Sequence, residues 1–302
     1  MTGVEVRELQ YFRAVAEELS FSRAAERLGM TQPPLSRAIL RLEHRVGAKL
    51  FERTTHRVEL TVAGLTLLEE ATRVLDAVSA AILRTARAAR GIPPLVITAK
   101  AGVVTDLLRR VADAYRTLNT DVEIEMIVSS YGEQAQMVRD GRADIALIGS
   151  PAEHRGLEIE TLACLPRVAA MPARHSLAAR TTLFCRDLVG LPFPQGPNAT
   201  PAQQAFWAGQ DEQEHPVLNT AGPVVTDSSQ LLEVVALGQA VALVPVTLAE
   251  HAPRADIAYR PVLDASPYRV SIAWPMGSRD LRTAHFVRTV MELSSSHFLE
   301  ND

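Results

Sequence analysis

The chain has 302 residues, 47% of them hydrophobic, two cysteines and a formal charge of −4. That make-up fits a folded protein of two or three domains and excludes a disordered chain or a disulfide scaffold. The charge is uneven: residues 1–60 hold ten Arg/Lys against eight Asp/Glu, and the remainder holds 21 against 27. A local basic surplus is what a discrete nucleic-acid-binding module requires.

Residues 5–19 place Leu9, Phe12, Val15, Ala16 and Leu19 at three- and four-residue spacings, which predicts an amphipathic helix. Ser20 or Ser22 can cap a second helix whose inner face is Ala24, Ala25 and Leu28. Gly29 follows where the chain turns sharply, a conformation glycine tolerates best. Thr31 or Gln32 then opens a third helix with Pro33 and Pro34 in its first turn, where missing N–H groups cost little. Its buried stripe is Leu35, Ile39, Leu42 and Val46, and Arg37, Arg41, Arg45 and Lys49 recur every four residues off that stripe. A small residue, a glycine turn and a sealing leucine at this spacing form a helix-turn-helix, and ERTTHR between Phe51 and Val58 reads as a β-wing. The arginine row by itself would equally suit a solvated helix face.

The segments A-A-x-x-L, T-Q-P-P-L-S-R-A-I, L-E-x-x-V-G, K-L-F-E-R and L-T-x-A-G run without a gap over roughly residues 7–66. They resemble the N-terminal domain of LysR-type transcriptional regulators, and Q-P-P-L-S resembles the branch of that family responding to aromatic and related small acids. The resemblance implies that Gln32, Pro33, Pro34, Ser36 and Arg37 face DNA, with Arg53 and the wing residues Thr54, Thr55 and Arg57 on the backbone. Ser22, Thr31 and Arg41 complete the expected contact set. Gln and Arg in the first half of a recognition helix can bond adenine or guanine edges. Glu43 reads as structural, because a carboxylate beside phosphates would repel them.

From Thr61 to Arg90 the pattern becomes one long helix, with Leu68, Leu75, Ile82 and Ala89 seven residues apart and Leu65 starting a second, smaller seam. Periodicity alone leaves open whether this face pairs with another helix or packs on its own domain. The resemblance favours dimerisation through Leu65, Leu68, Leu75 and Ile82. Gly91-Ile92-Pro93-Pro94 ends the helix.

Strands at Leu95–Ala99, Val122–Val128 and Asp144–Ile148, alternating with helices at Val103–Leu118 and Glu133–Asp140, predict a mostly parallel α/β sheet. DGRADIALIG and VVALGQAVALVPVTLA resemble segments of the LysR effector domain. The expected architecture is therefore an N-terminal all-α winged helix-turn-helix with a long linker helix, followed by a two-lobed α/β effector domain like a periplasmic binding protein. The expected divisions are 1–60 for DNA binding, 61–91 for the linker and hinge, and 92–302 for the effector domain. Within the last, lobe one is 92–163 plus 266–302 and lobe two is 164–265.

Open α/β sheets bind ligands beyond the carboxyl ends of their strands. Lys100, Gly102 and Val103 end the first strand and start its helix, Ser130 and Tyr131 follow the second, and Gly196, Asn198, Thr200, Asp227 and Ser228 lie in lobe two. These form the candidate effector set, for an anionic or aromatic small molecule. Lys100 departs from the family's usual small residue, and an exposed lysine at a strand end is its plainer reading. Asp227 or Ser228 is most simply a helix cap.

No G-x-S-x-G elbow, phosphate loop, H-E-x-x-H or dinucleotide fingerprint occurs, which argues against an enzyme and against a bound cofactor or metal. No apolar run approaches a membrane span and the start has no signal-peptide pattern, so a cytoplasmic protein without a membrane partner is expected. The resemblance implies double-stranded operator DNA, a second copy of the chain in a homodimer or homotetramer, and a small-molecule effector as partners, and it allows RNA polymerase as another. A redox-responsive regulator of the same fold, using Cys164 and Cys185, is the alternative. A solute-binding or enzymatic protein is the third.

Overall fold

The computed structural model describes residues 3–53, 57–89, 91, 93–100, 105–118, 122–152, 155–197, 199–211 and 221–298. The chain divides into two compact units, Met1–Ala89 with Arg139–Gly141, and Arg90–Val138 with Arg142–Asp302.

The first unit begins with α1 (Val6–Glu18), α2 (Phe21–Arg27) and α3 (Gln32–Val46). A two-strand hairpin follows, β1 (Phe51–Arg53) and β2 (Val58–Leu60), and then α4 (Val62–Ala88). Ser20 caps α2 by accepting from the Arg23 N–H, and Gly29 makes the turn to α3 at φ +65°. Phe12, Val15, Ala24, Leu35, Ile39 and Leu42 close on one another with almost no exposed surface. Burial of this kind stabilises by about 1.5–3 kcal/mol per large side chain. The hairpin is antiparallel, with Phe51 opposite Leu60 and Arg53 opposite Val58.

Thr61 joins the hairpin to α4. Its hydroxyl accepts from the Gly64 N–H and donates to the Lys49 carbonyl, while its own N–H reaches the Leu50 carbonyl. Gly64 lies so close beneath the hairpin that a Cβ there would fall 2.1 Å from the Leu50 carbonyl oxygen. Backbone cannot yield as a side-chain tip can. Gly64→Ala is therefore expected to lower stability by about 1–3 kcal/mol, read as an earlier loss of helical circular dichroism on heating.

The 61–91 helix was expected to dimerise through Leu68, Leu75 and Ile82 on one seam and Leu65 on a second. Leu75 is instead 4% exposed and packs with Ala71 in the core of the first unit, and Leu68 packs partly against the same core. Leu65 and Ile82 are exposed. The first half of α4 is thus part of the module, packed against α1 in the same core.

In the second unit the chain runs through β3 (Leu95–Lys100), α5 (Thr105–Leu118), β4 (Ile124–Ser129), α6 (Gln134–Arg139), β5 (Ile145–Gly149), β6 (Leu157–Leu165) and β7 (Arg167–Pro172). It continues with β8 (Phe193–Gln195), α7 (Pro201–Trp207), β9 (Ala221–Val224), α8 (Ser228–Ala236), β10 (Ala242–Pro245) and α9 (Val246–His251). It ends with β11 (Ile257–Pro261), β12 (Tyr268–Pro275) and α10 (Leu281–Phe298). One sheet has the order β4-β3-β5-β12-β6 and a second β10-β7-β11, and β8 pairs with β9. The first sheet is covered on both faces: one core contains Tyr115 against Phe286, the other Val96, Met137 and Ile148.

The expected mostly parallel sheet is mixed. β3 is parallel to β4 and β5, but β12 is antiparallel to both β5 and β6, and β7 is antiparallel to β10 and β11. The reason is connectivity. β6 leaves the first sheet at Leu165, and β12 re-enters opposite that residue at Tyr268, so it must run the other way. The expected lobe boundary at 163/164 falls inside β6, two residues before its end, and the one at 265/266 falls between β11 and β12.

Candidate functional site: a basic helix face and an aromatic lysine site

On α3 the first turn is presented to solvent. Thr31, Gln32, Pro33, Arg37 and Arg41 are exposed, and Pro34 and Ser36 are half-buried. Thr31 makes no side-chain capping bond, so its hydroxyl is available to an outside partner. Among the described residues, Arg37 and Arg41 make no hydrogen bond or ion pair. Ser22 is exposed on the second residue of α2.

The other cations of the row behave differently. Arg45 turns inward and pairs with the buried Glu8 of α1. Arg53, expected on the DNA backbone, lies over the Phe21 ring at 4.3 Å and reaches Glu43 at 3.4 Å and Ser36 at 3.5 Å. Glu43 accepts from the Leu50 and Phe51 N–H groups at 2.9 and 3.2 Å, tying the end of α3 to β1. Arg53 is thus held within the module, where it orients the hairpin against the recognition helix. Arg57 pairs with Glu59 at 2.6 Å and stays exposed. Thr54 and Thr55 lie outside the described residues.

In the second unit the carboxyl ends of β3, β4 and β5 lie together. Thr98 and Ser129 share a 2.8 Å hydrogen bond, and Gln134 donates to Ser129 at 2.8 Å. Lys100 follows, half-buried, with its ammonium 4.8 Å from the Tyr268 ring centre, 5.1 Å from Tyr131 and 5.4 Å from Trp207. Burial lowers its pKa from 10.5 to about 8. Among the described residues it has no hydrogen-bond or ion-pair partner. Tyr268 is fully buried, its hydroxyl has no partner, and a Cβ on Gly149 would overlap that hydroxyl.

Tyr131 bridges the two lobes: its N–H donates to the Thr226 carbonyl at 2.9 Å, and its hydroxyl reaches Ser228 at 2.9 Å. The Tyr131 phenol is pushed up to about 12, mainly by burial. Asp227 caps α8 by accepting from the Gln230 N–H, and Thr200 caps α7 by accepting from Gln203. Both were placed in the effector set; these caps turn them toward their own helices. Ser130 is exposed, its N–H bonded to Glu133 and its carbonyl to Gln134, and Gly196 is half-buried in its loop. Gly102, Val103 and Asn198 lie outside the described residues. Trp207 and Tyr268 were missed, because no spacing in the sequence connects a helix end and a late strand to Lys100.

Of the two cysteines, Cys185 is held far from thiolate chemistry. Cys185 is buried in the second lobe's core, where burial first and then Asp264 push its thiol up to about 12. Cys164 is exposed on β6.

Residues 6–65 match the family described as "Bacterial regulatory helix-turn-helix protein, lysR family", and residues 91–294 match "LysR substrate binding domain". The regulator AlsR of Bacillus subtilis is 39% identical over 61% of this chain and 62% of its own length. IlvR of Caulobacter vibrioides is 32% identical over 90% of this chain and 92% of that protein. Among solved structures, full-length CbnR complexed with its target DNA aligns at a TM-score of 0.53 and 26% identity, covering 96% of this chain and all of that one.

Proposed function

The chain belongs to the LysR family of transcriptional regulators, and on that premise we propose that it binds an inverted-repeat operator as a dimer or tetramer and responds to a small effector. The observation carrying the DNA half is the pair of exposed, uncommitted guanidinium groups, Arg37 and Arg41, beside Gln32 on the open end of α3. In their neighbours Arg45 and Arg53 the charge is already matched inside the module. CbnR was crystallised with its target DNA, which supports a DNA partner for this chain.

A second copy supplies the other half-site. The exposed Leu65, Val74 and Ile82 on α4 are the apolar surface such a copy would cover. The effector half rests on the uncompensated Lys100 between the two lobes. A ligand there shifts the balance between lobe arrangements only by its different affinity for each. No helix among the described residues is long and apolar enough to cross a membrane, and a cytoplasmic location accords with a DNA partner. The redox alternative is disfavoured by the buried Cys185, whose thiolate is strongly opposed.

Arg37→Ala is expected to weaken operator binding by about 1–3 kcal/mol if it reads a base, with an unchanged melting temperature. If it holds a phosphate instead, the salt slope falls by roughly 0.9. A nuclease footprint on DNA upstream of the gene, with two half-sites separated by whole helical turns, tests the dimer. Unchanged affinity and salt slope in Arg37→Ala would remove this helix face from the reading.

A further inference from the structure

Four faces can be told apart on α3. Leu35, Ile39 and Leu42 point into the core, and Arg37, two residues past Leu35, points about 200° away from it at 3.6 residues per turn. Ser36 and Glu43 mark the flank that meets the hairpin, through Arg53. Pro34, Ala38, Arg41 and Arg45 each stand two residues from one of that pair, so they form the opposite flank. A helix about 10–12 Å across, seated in a major groove about 12 Å wide, has a sugar-phosphate backbone on each side. The hairpin lies toward one of these backbones.

On the other flank, an open cavity of about 460 Å³ separates α3 from the start of α1. Arg7 and Tyr11 line it from α1, and Arg41 and Arg45 from α3. Glu8 and Arg45 neutralise each other across its back, which ties the two helices together, and the Arg45 Nε–H is sealed from solvent. That leaves Arg7 and Arg41 against the single carboxylate of Glu5 at the rim, a surplus of one positive charge. Both arginines are exposed and, among the described residues, make no hydrogen bond or ion pair. The Arg7 guanidinium lies 5.4 Å over the Tyr11 ring, which restricts where this long side chain can go.

We propose that this cavity seats a phosphate of the operator backbone, gripped by Arg7 and Arg41, so that α1 clamps the strand opposite the one beside the hairpin. This rests on the DNA-binding role proposed above and gives α1 a part in it. Two guanidinium groups from different helices converge on one anion, and each can donate paired N–H groups to its oxygens. A phosphate contact carries no sequence information but fixes the register of the protein on the duplex. Arg37 on the groove-facing side would then meet its base edge from a helix held at both flanks. The Glu5 carboxylate opposes the anion and limits the strength of the grip. A free phosphorylated molecule would satisfy the same donors, but the cavity opens beside the base-reading face, where a duplex brings its own phosphates.

The test is a set of binding titrations of the full chain on its footprinted operator and on an unrelated duplex, across a salt series. Arg7→Ala should weaken both several-fold and lower the salt slope by roughly 0.9, with an unchanged melting temperature. Arg13→Ala, the same charge loss further along α1, should leave both as they were, and Glu5→Gln should tighten them. Operators with one uncharged methylphosphonate at each position in turn locate the contact. The unaltered protein should lose affinity at one position per half-site that Arg7→Ala no longer senses. The proposal is overturned if Arg7→Ala binds as before, if Arg13→Ala loses as much, or if no such position exists. Pyrophosphate at matched ionic strength probes for a free ligand. If it raises the melting temperature through Arg7 while DNA affinity in Arg7→Ala is intact, the cavity is a small-anion site and the clamp is refuted. A footprint still weakened by Arg37→Ala would then leave the regulator reading standing, whereas no footprint from the unaltered protein would end both.

Discussion

Arg167→Ala should destabilise the second unit by about 3–5 kcal/mol, the usual cost of removing one partner from a buried charged network. Arg167 is 1% exposed at the first residue of β7, where the chain has just crossed from the first sheet to the second. Its guanidinium donates to the Phe206 carbonyl at 2.5 Å, to the Ser266 carbonyl and hydroxyl at 2.5 and 2.7 Å, and to Asp211 at 3.5 Å. It also lies 4.0 Å over the Phe206 ring. One side chain therefore ties together both passages between the lobes and the end of α7. Alanine would remove these hydrogen bonds at once, leaving the Phe206 carbonyl with only the Gly209 N–H and Asp211 with only the Ser266 hydroxyl. Lysine would restore the charge but not the planar fork, and should recover only part of the loss.

The two tryptophans of the chain, Trp207 and Trp274, both lie in this unit. Their fluorescence during urea unfolding reports it separately from the DNA-binding module. The midpoint should fall markedly in Arg167→Ala. An unchanged midpoint would mean that the crossovers are held by other contacts.

The second large effect is expected from Glu43→Ala, at about 2–4 kcal/mol. Hydrogen bonds to a charged group contribute roughly 1.5–3 kcal/mol each, and Glu43 accepts two from backbone N–H groups besides pairing with Arg53. Its loss would free the hairpin from α3 and release Arg53 from its place beside Ser36. Operator affinity should drop although no DNA-facing residue has changed. Glu43→Gln keeps one carbonyl acceptor for the backbone and should fall between the two. Circular dichroism of thermal unfolding and a binding titration are the measurements; a stable Glu43→Ala protein that fails to bind would instead make Glu43 a direct contributor to the DNA face.

How far each feature was legible follows from the range of the force that sets it. Helices, caps and turns depend on neighbours a few residues away, so the amphipathic spacing of α1 and the Gly29 turn could be read directly, and the caps could be narrowed to Ser20 or Ser22 and to Asp227 or Ser228, of which Ser20 and Asp227 cap. The DNA-binding stretch was legible for the same reason, being one continuous segment of a specific pattern. Long-range partners were not. Four cations at equal spacing looked alike, yet Arg45 and Lys49 differ completely, since Glu8 lies opposite Arg45 and Lys49 is exposed.

The linker helix shows the same limit: a seven-residue repeat records that Leu75 is buried, but not whether α1 or a second chain buries it. At the effector site the strand end at Lys100 was visible in sequence. Its cage was not, because Trp207 and Tyr268 arrive from other elements after the chain has crossed between lobes and returned. Hydrophobic periodicity tells a residue only which way to face. Whether a charge that faces inward meets a carboxylate, a ring or nothing depends on chain segments brought together by packing. That dependence separates the tethered Arg53 from the unpaired Lys100.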